Sequence, residues 1–295
     1  MPRDGLRRVV IEAVEPSVEG GRFPAKRTVG DQVAVHATIF CDGHDEIRAS
    51  LLWRHESESG WREAPMRLLG NDRWLGDFRV EQLGRYLFTI QAGVDHFATW
   101  RSALVKRISA GQDVSVEMLV GASLLRQIGL RTKGAQRRKL DAAASALESD
   151  ASVEARVAVA LDDDLVDLAV AHPDRRLETR AETEFPIAVA PALARFSTWY
   201  EMFPRSTAAE PGRHGTFKDV CARLPYVKQM GFDVLYLPPI HPVGRSFRKG
   251  PNNTLRSDPS DPGSPWAIGA GEGGHRAVHP ELGTLDDLRA LVKEA

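Results

Sequence analysis

Three cations and two carboxamides crowd one short stretch, "GRSFRKGPNN": Arg245, Arg248 and Lys249 between Gly244 and Gly250, then Asn252 and Asn253. Guanidinium and ammonium groups on a glycine-flanked segment suit an anionic guest such as a phosphate. Each charge-assisted hydrogen bond to such a group contributes roughly 1.5–3 kcal/mol, enough to favour a phosphorylated substrate about ten-fold or more per contact. The two asparagines add neutral donors and acceptors for sugar hydroxyls or for orienting the phosphate. Basic glycine-containing segments are also common as solvated connections, so spacing alone does not decide between the readings. Length weighs further: from Gly244 to Pro280 there is little periodicity, and structureless stretches well beyond about 12–15 residues in compact domains are functional or disordered. Trp266 and Ile268 in "SPWAIG" favour order, and hence a binding loop.

Other candidate groups carry less. His275 and His279 stand four apart in "GGHRAVHP", but the glycines and proline deny them the helical face on which such a pair binds a metal, so no metal is expected. Glu201 and Asp233 sit on or beside predicted strands and could be carboxylate partners, although a carboxylate on the first strand of such a fold is more often the structural partner of an internal arginine than a general acid. No GxGxxG stands in the turn directly after the first strand of the C-terminal region, and neither GxxxxGK[ST] nor GxSxG occurs, which leaves nucleotide and serine-hydrolase chemistry without support. No cofactor is expected. Cys41 and Cys221 lie far apart without ligand spacing and are read as buried thiols. A formal net charge of −1 gives no global field for nucleic acid or anionic membrane. The basic run Arg131, Lys133, Arg137, Arg138 and Lys139 has acidic residues close behind it and reads as a solvated helix face. No apolar run approaches the roughly 20 residues of a membrane span, and "MPRDGLRRVVIEAVEP" lacks the apolar stretch of a secretory signal, so a cytoplasmic location is expected.

The elements that must position the basic loop differ along the chain. At 295 residues, two domains or three are expected. Residues 8 to about 100 alternate with the period of half-buried strands: Val33, Val35, Ala37 and Ile39 share one face, as do Tyr86, Phe88 and Ile90, and Trp74, Phe78 and Val80 continue the pattern. Cys41-Asp42-Gly43 and Gly70-Asn71-Asp72 supply tight turns between the runs. An antiparallel β-sandwich is predicted. The period then becomes helical, with Val116, Val120, Leu124 and Ile128 as one stripe widened by Leu119 and Leu125, followed by "QRRKLDAAASALES" and "SVEARVAVALDDDLVDLAVAH", stopped by Pro173. "TEFPIAVA" reads as a returning strand. From about Arg195 the order is strand ("RFSTWYEMFPRS"), helix (Val220, Leu224, Val227, Met230), buried strand ("FDVLYLPPI"), long loop, and helix with Thr284 as N-cap and Asp286 and Asp287 in its first turn. That is the βαβα order of a parallel α/β sheet or barrel, in which loops leaving the strands' C-terminal ends carry the chemistry. Pro238 and Pro239 end the second strand and release the chain into the basic loop.

"WYEMFPRS", "HGTFKDVCARLPYVKQMGFDVLYLPPIHPVG" and "GHRAVHPELGTLDDLRALVKEA" together resemble the alpha-amylase superfamily, glycoside hydrolase family thirteen, over residues 195–295. "RKGPNNT" with "SPWAIG" and "EGGH" is similar to the members of that family that transfer maltosyl units. The resemblance implies a multidomain chain: an N-terminal β-sandwich over 1–102, a helical insert over 103–178, a returning strand and linker over 179–194, and the start of a (β/α)8 TIM barrel over 195–295. It implies transfer from maltose 1-phosphate to the 4-hydroxyl of an alpha-1,4-glucan with release of phosphate. An Asp nucleophile, a Glu acid/base and a supporting Asp would act by retaining double displacement. Lys249 would contact the donor's phosphate, with Asn252 and Asn253 shaping the pocket, and a homodimer is implied. About two of eight βα units precede Ala295, so the chain is expected to be partial, with the catalytic carboxylates beyond it. Such an open barrel would expose Leu235, Leu237 and Ile240. Two alternatives remain: another amylase-type hydrolase or branching enzyme, and a non-catalytic glucan-binding or dimerising module.

Overall fold

The computed structural model describes residues 7–295, which divide into two compact units, the first ending at Ala192 and the second starting at Leu193.

The first unit holds two sheets. One, antiparallel throughout, runs β1 (Val9–Glu15), β3 (Gln32–Cys41), β7 (Arg73–Arg79), β6 (Arg67–Gly70). The other runs β2 (Ala25–Thr28), β10 (Phe185–Ala190), β8 (Gly84–Val94), β4 (Ile47–His55), β5 (Arg62–Pro65), with β9 (Thr179–Arg180) also pairing with β8. Only the β2–β10 pair in that sheet is parallel. The two sheets share a core. Val33, Val35 and Ile39 from β3 meet Leu51 from β4, Phe88 and Ile90 from β8, and Ile187 from β10, all buried. Burying each such side chain contributes about 1.5–3 kcal/mol, which is why the alternation is strict where the faces meet. Asn71 (φ 49°) and Asp72 (φ 59°) occupy the left-handed region at the β6–β7 turn, as the turn chemistry requires.

Five helices follow β8: α1 (His96–Ser109), α2 (Ser115–Gly129), α3 (Gly134–Glu148), α4 (Val153–Ala160) and α5 (Asp163–Ala171). Asp95 caps α1, its Oδ1 accepting from the Ala98 N–H at 2.9 Å. Trp100, Leu104, Met118, Leu125, Leu140, Leu147 and Leu165 form the core of this helical part. Its basic run is answered by carboxylates: Lys139 pairs with Asp164, Arg137 with Asp141 and Arg131 with Asp174. The chain returns through Glu178, buried and paired with Arg48 and Gln91.

The second unit contains β11 (Trp199–Glu201), α6 (Phe217–Gln229), β12 (Val234–Tyr236) and α7 (Leu285–Glu294), and β11 and β12 are parallel neighbours. Thr216 and Thr284 each form a capping box with the aspartate three residues on, Asp219 and Asp287, as the N-cap reading of Thr284 anticipates.

Several expectations need correction. The helical region starts at His96, so the boundary expected between residues 102 and 103 falls inside α1. On α2 the buried stripe is Met118, Ala122, Leu125 and Ile128, whereas Val116 and Leu119 are 66% and 57% exposed and Val120 is exposed too. The reason is close approach: the Trp100 ring lies on Gly121, so small residues occupy the face that a count of large apolar side chains overlooks. The last helical stretch breaks at Asp162, whose side chain caps α5. Met230, placed on the buried stripe of α6, is exposed at its C-terminal cap. β12 is half-buried rather than buried, since among the described residues it pairs only with β11. Leu235, Leu237 and Ile240 are half-buried against Phe217, Val220 and Leu282 rather than exposed. Both cysteines are free and only partly buried.

Candidate functional site

The parallel strands of the second unit deliver two segments to the same end. Residues 202–216 leave β11, and residues 237–284 leave β12. The register of the pair is held at its start by Asp233, whose Oδ2 accepts from the N–H and Oγ1 of Thr198 at 2.8 and 3.0 Å. Those bonds hold the Asp233 carboxyl below its ordinary range. Its partner is Thr198 rather than an arginine.

The long segment after β12 folds back on itself. The Gly244 N–H donates to Ala267 O (2.6 Å), Gly269 N–H to Pro242 O (2.9 Å) and His279 N–H to Ile240 O (2.7 Å). Trp266 meets the Phe203 ring edge-on at 5.7 Å. Order without regular secondary structure comes from these bonds and from one side chain, Arg248. Its guanidinium donates to the carbonyls of Asp261 (2.6 Å), Gly244 (3.2 Å) and Val243 (3.2 Å).

An open cleft of about 1190 Å³ lies between the two segments, with Arg205, Arg213, Arg245, Arg248, Asp258 and Glu272 on its walls. Most of these cations are already engaged. Arg245 pairs with Glu272 at 2.6 Å. Arg213 lies between Glu210 and Asp219, at 2.6 Å from each, which raises its own pKa and lowers that of Asp219. Arg205 donates to Gly263 O at 2.8 Å and lies over the Phe203 ring, and burial lowers its pKa.

Of the residues singled out in the sequence, Arg245 and Arg248 line the cleft; Lys249, Asn252 and Asn253 do not, but stand exposed on the adjoining turn. That turn is tightly specified. Gly250 N–H donates to Thr254 O (3.0 Å), Thr254 N–H to Pro251 O (3.2 Å), and Asn252 (φ 52°) and Asn253 (φ 63°) are left-handed. A Cβ on Gly250 would sit 2.7 Å from Thr254 Oγ1. Among the described residues Lys249 has no ion-pair partner, so its charge faces solvent uncommitted.

His275 packs on His241 (ring centroids 5.6 Å apart) and His279 on His214 (5.7 Å). Two features escaped the sequence reading. Arg205 lies four residues beyond the end of β11, and its place on the segment leaving a strand's C-terminal end was a usable signal. The meeting of His214, His279 and Glu281 had no local signal, because two separate segments bring it about.

Comparison with known proteins adds the following. Residues 7–191 match the family model described as alpha-1,4-glucan:maltose-1-phosphate maltosyltransferase, domain N/S. The chain is similar to proteins named alpha-1,4-glucan:maltose-1-phosphate maltosyltransferase from Chlorobaculum tepidum (47% identical, over 100% of this chain and 44% of that one) and Myxococcus xanthus (47%, over 98% and 45%). The same name belongs to a relative from Burkholderia pseudomallei, 45% identical over 98% of this chain and 26% of that one. The chain thus spans less than half the length of these relatives.

Proposed function

The chain belongs to the alpha-1,4-glucan:maltose-1-phosphate maltosyltransferase family, and from that membership we propose that it supplies the donor-phosphate-binding part of an enzyme moving maltosyl units from maltose 1-phosphate to the 4-hydroxyl of an alpha-1,4-glucan. The observation that carries the residue assignment is the contrast along one loop: Arg245 and Arg248 spend their donors on Glu272 and on backbone carbonyls, while Lys249 stays exposed and uncommitted among the described residues. Lys249 is the phosphate-binding cation in this reading, and Asn252 and Asn253 border the sugar. The catalytic carboxylates are assigned to no residue of 1–295.

The finer architecture is part of the same proposal. Two sheets with a common core support a β-sandwich, the five helices form an insert in it, and the β11–α6–β12 unit, with parallel strands, supports the start of a (β/α)8 barrel. A cytoplasmic homodimer completes the reading.

The test is Lys249→Ala in the full-length enzyme. Loss of one charge-assisted hydrogen bond, about 1.5–3 kcal/mol, raises the donor KM roughly 10- to 150-fold, with the glucan acceptor KM unchanged. Unchanged donor KM and unchanged affinity for inorganic phosphate would remove Lys249 from the site.

A further inference from the structure

We infer that His214, His279 and Glu281 form a binding site for a divalent transition-metal ion of the zinc class. One ligand atom from each lies within 4.8 Å of the others. Tetrahedral bonds of about 2.0–2.2 Å place donors roughly 3.3–3.5 Å apart, so modest side-chain rotation closes the set around an ion.

Two further observations point to a ligand. The ring of His214 is already in a metal-binding tautomer: Nδ1–H donates to Gly215 O at 2.8 Å, leaving the Nε2 lone pair free. A backbone carbonyl on the far nitrogen is the usual support of a ligating imidazole. His279 presents Nε2 to the Glu281 carboxylate at 3.3 Å, while its Nδ1 is buried with no hydrogen-bond partner among the described residues. Nε2, the nitrogen that faces the carboxylate, is the one placed to ligate an ion, and the unpartnered Nδ1 is a separate position on the same ring. The His279 backbone is fixed as well, its N–H on Ile240 O and its carbonyl accepting from Leu282 N–H at 3.0 Å.

The donor set selects the metal. Two imidazoles and one carboxylate suit zinc-like ions and are a poor cage for magnesium or calcium, which take oxygen ligands. Three protein ligands leave a fourth position open to the cleft that His214, His279 and Glu281 help to line. The neighbouring Arg213 offers little repulsion, since Glu210 and Asp219 flank its charge. A bound ion ties the segment after β11 to the turn before α7, fixing both walls of the cleft.

The experiment is a calorimetric titration of chelator-treated full-length protein with zinc chloride, paired with the visible absorption spectrum of the protein titrated with cobalt(II). The expected result is one zinc per chain and a cobalt spectrum of low-coordinate His ligation. His214→Ala and Glu281→Gln each weaken binding by at least the roughly 10–100-fold that loss of a mere supporting partner causes. Glu281 is 64% exposed at its side chain, so its variant tests ligation without threatening the fold. His275→Ala binds as the parent does. Absence of stoichiometric zinc, or equal affinity in the parent and both ligand variants, overturns the site.

Discussion

Arg248 offers a sharp test of the reasoning, because its sequence position invites one role and its geometry another. By type and place it is a phosphate ligand; by contacts it joins residues 243–248 to residue 261. Arg248→Ala leaves the carbonyls of Asp261, Gly244 and Val243 without this donor. Three bonds at about 0.5–1.5 kcal/mol each set an upper limit near 4.5 kcal/mol, and because all three come from one half-buried group and water replaces part of them, about 2–3 kcal/mol of local stability is expected to be lost. At about 1.4 kcal/mol per decade, opening of the loop becomes roughly 30- to 150-fold more frequent. The assay is amide hydrogen exchange on the full-length protein, read at Gly244 and Gly269, whose N–H groups bond to Ala267 O and Pro242 O. Faster exchange there, with amides of β3 and β8 unchanged, is the expected outcome. Arg248→Lys does not restore protection, since one ammonium cannot span three carbonyls as the planar fork does. Unchanged exchange at both amides, together with a fall in affinity for inorganic phosphate, would refute the staple and restore Arg248 as an anion ligand.

Two other perturbations follow from the packing and the caps. Gly121→Ala improves helix propensity by about 1 kcal/mol, yet its Cβ falls 2.7 Å from Cε2 and Cη2 of Trp100, whose Nε1–H is anchored on Glu117 O at 2.7 Å. Overpacking of about 1–3 kcal/mol then outweighs propensity, and a lower midpoint in urea, with Gly129→Ala as the comparison, checks it. The Asp219 carboxyl is held well below its ordinary range, first by Arg213 and then by Thr216. A depressed folded-state value means its contribution is complete above about pH 4, the unfolded-chain value, and is lost as pH falls through the folded one. Asp219→Asn therefore flattens the acid limb of the stability curve below pH 4 while lowering stability at neutral pH, and an acid limb as steep as the parent's would count against the assignment.

What could be read from the chain depended on whether the decisive contact was local. Val33, Val35, Ala37 and Ile39 declared their strand because period two along ten residues is imposed by a single buried face. Thr284 declared its helix because a capping box needs only residues three apart. α2 misled, for its buried face was chosen by Trp100 of another helix, and nothing in "SVEMLVGASLL" says that Gly121 rather than Val120 faces a ring. The parallel pairing of β10 with β2 was equally hidden, since the partners lie at opposite ends of the first unit.

The candidate site divides along the same line, and the division bears on what each residue can be asked to prove. Cations on a glycine-flanked loop were visible as residue types, but their commitments were not: Arg248 turns inward because carbonyls of residues 243, 244 and 261 converge on it, and Arg245 is answered by Glu272 from the far side of the loop. Asn252 and Asn253 are the subtler case. Both hold positive φ, and asparagine is enriched there for backbone reasons alone, so their presence is accounted for without a sugar. Gly250 is likewise explained by the backbone carbonyl of Arg256, which a Cβ there would overlap. Lys249 is exposed and has no ion-pair partner among the described residues, which is why the proposed phosphate contact is assigned to it and why Lys249→Ala is the variant that tests that proposal.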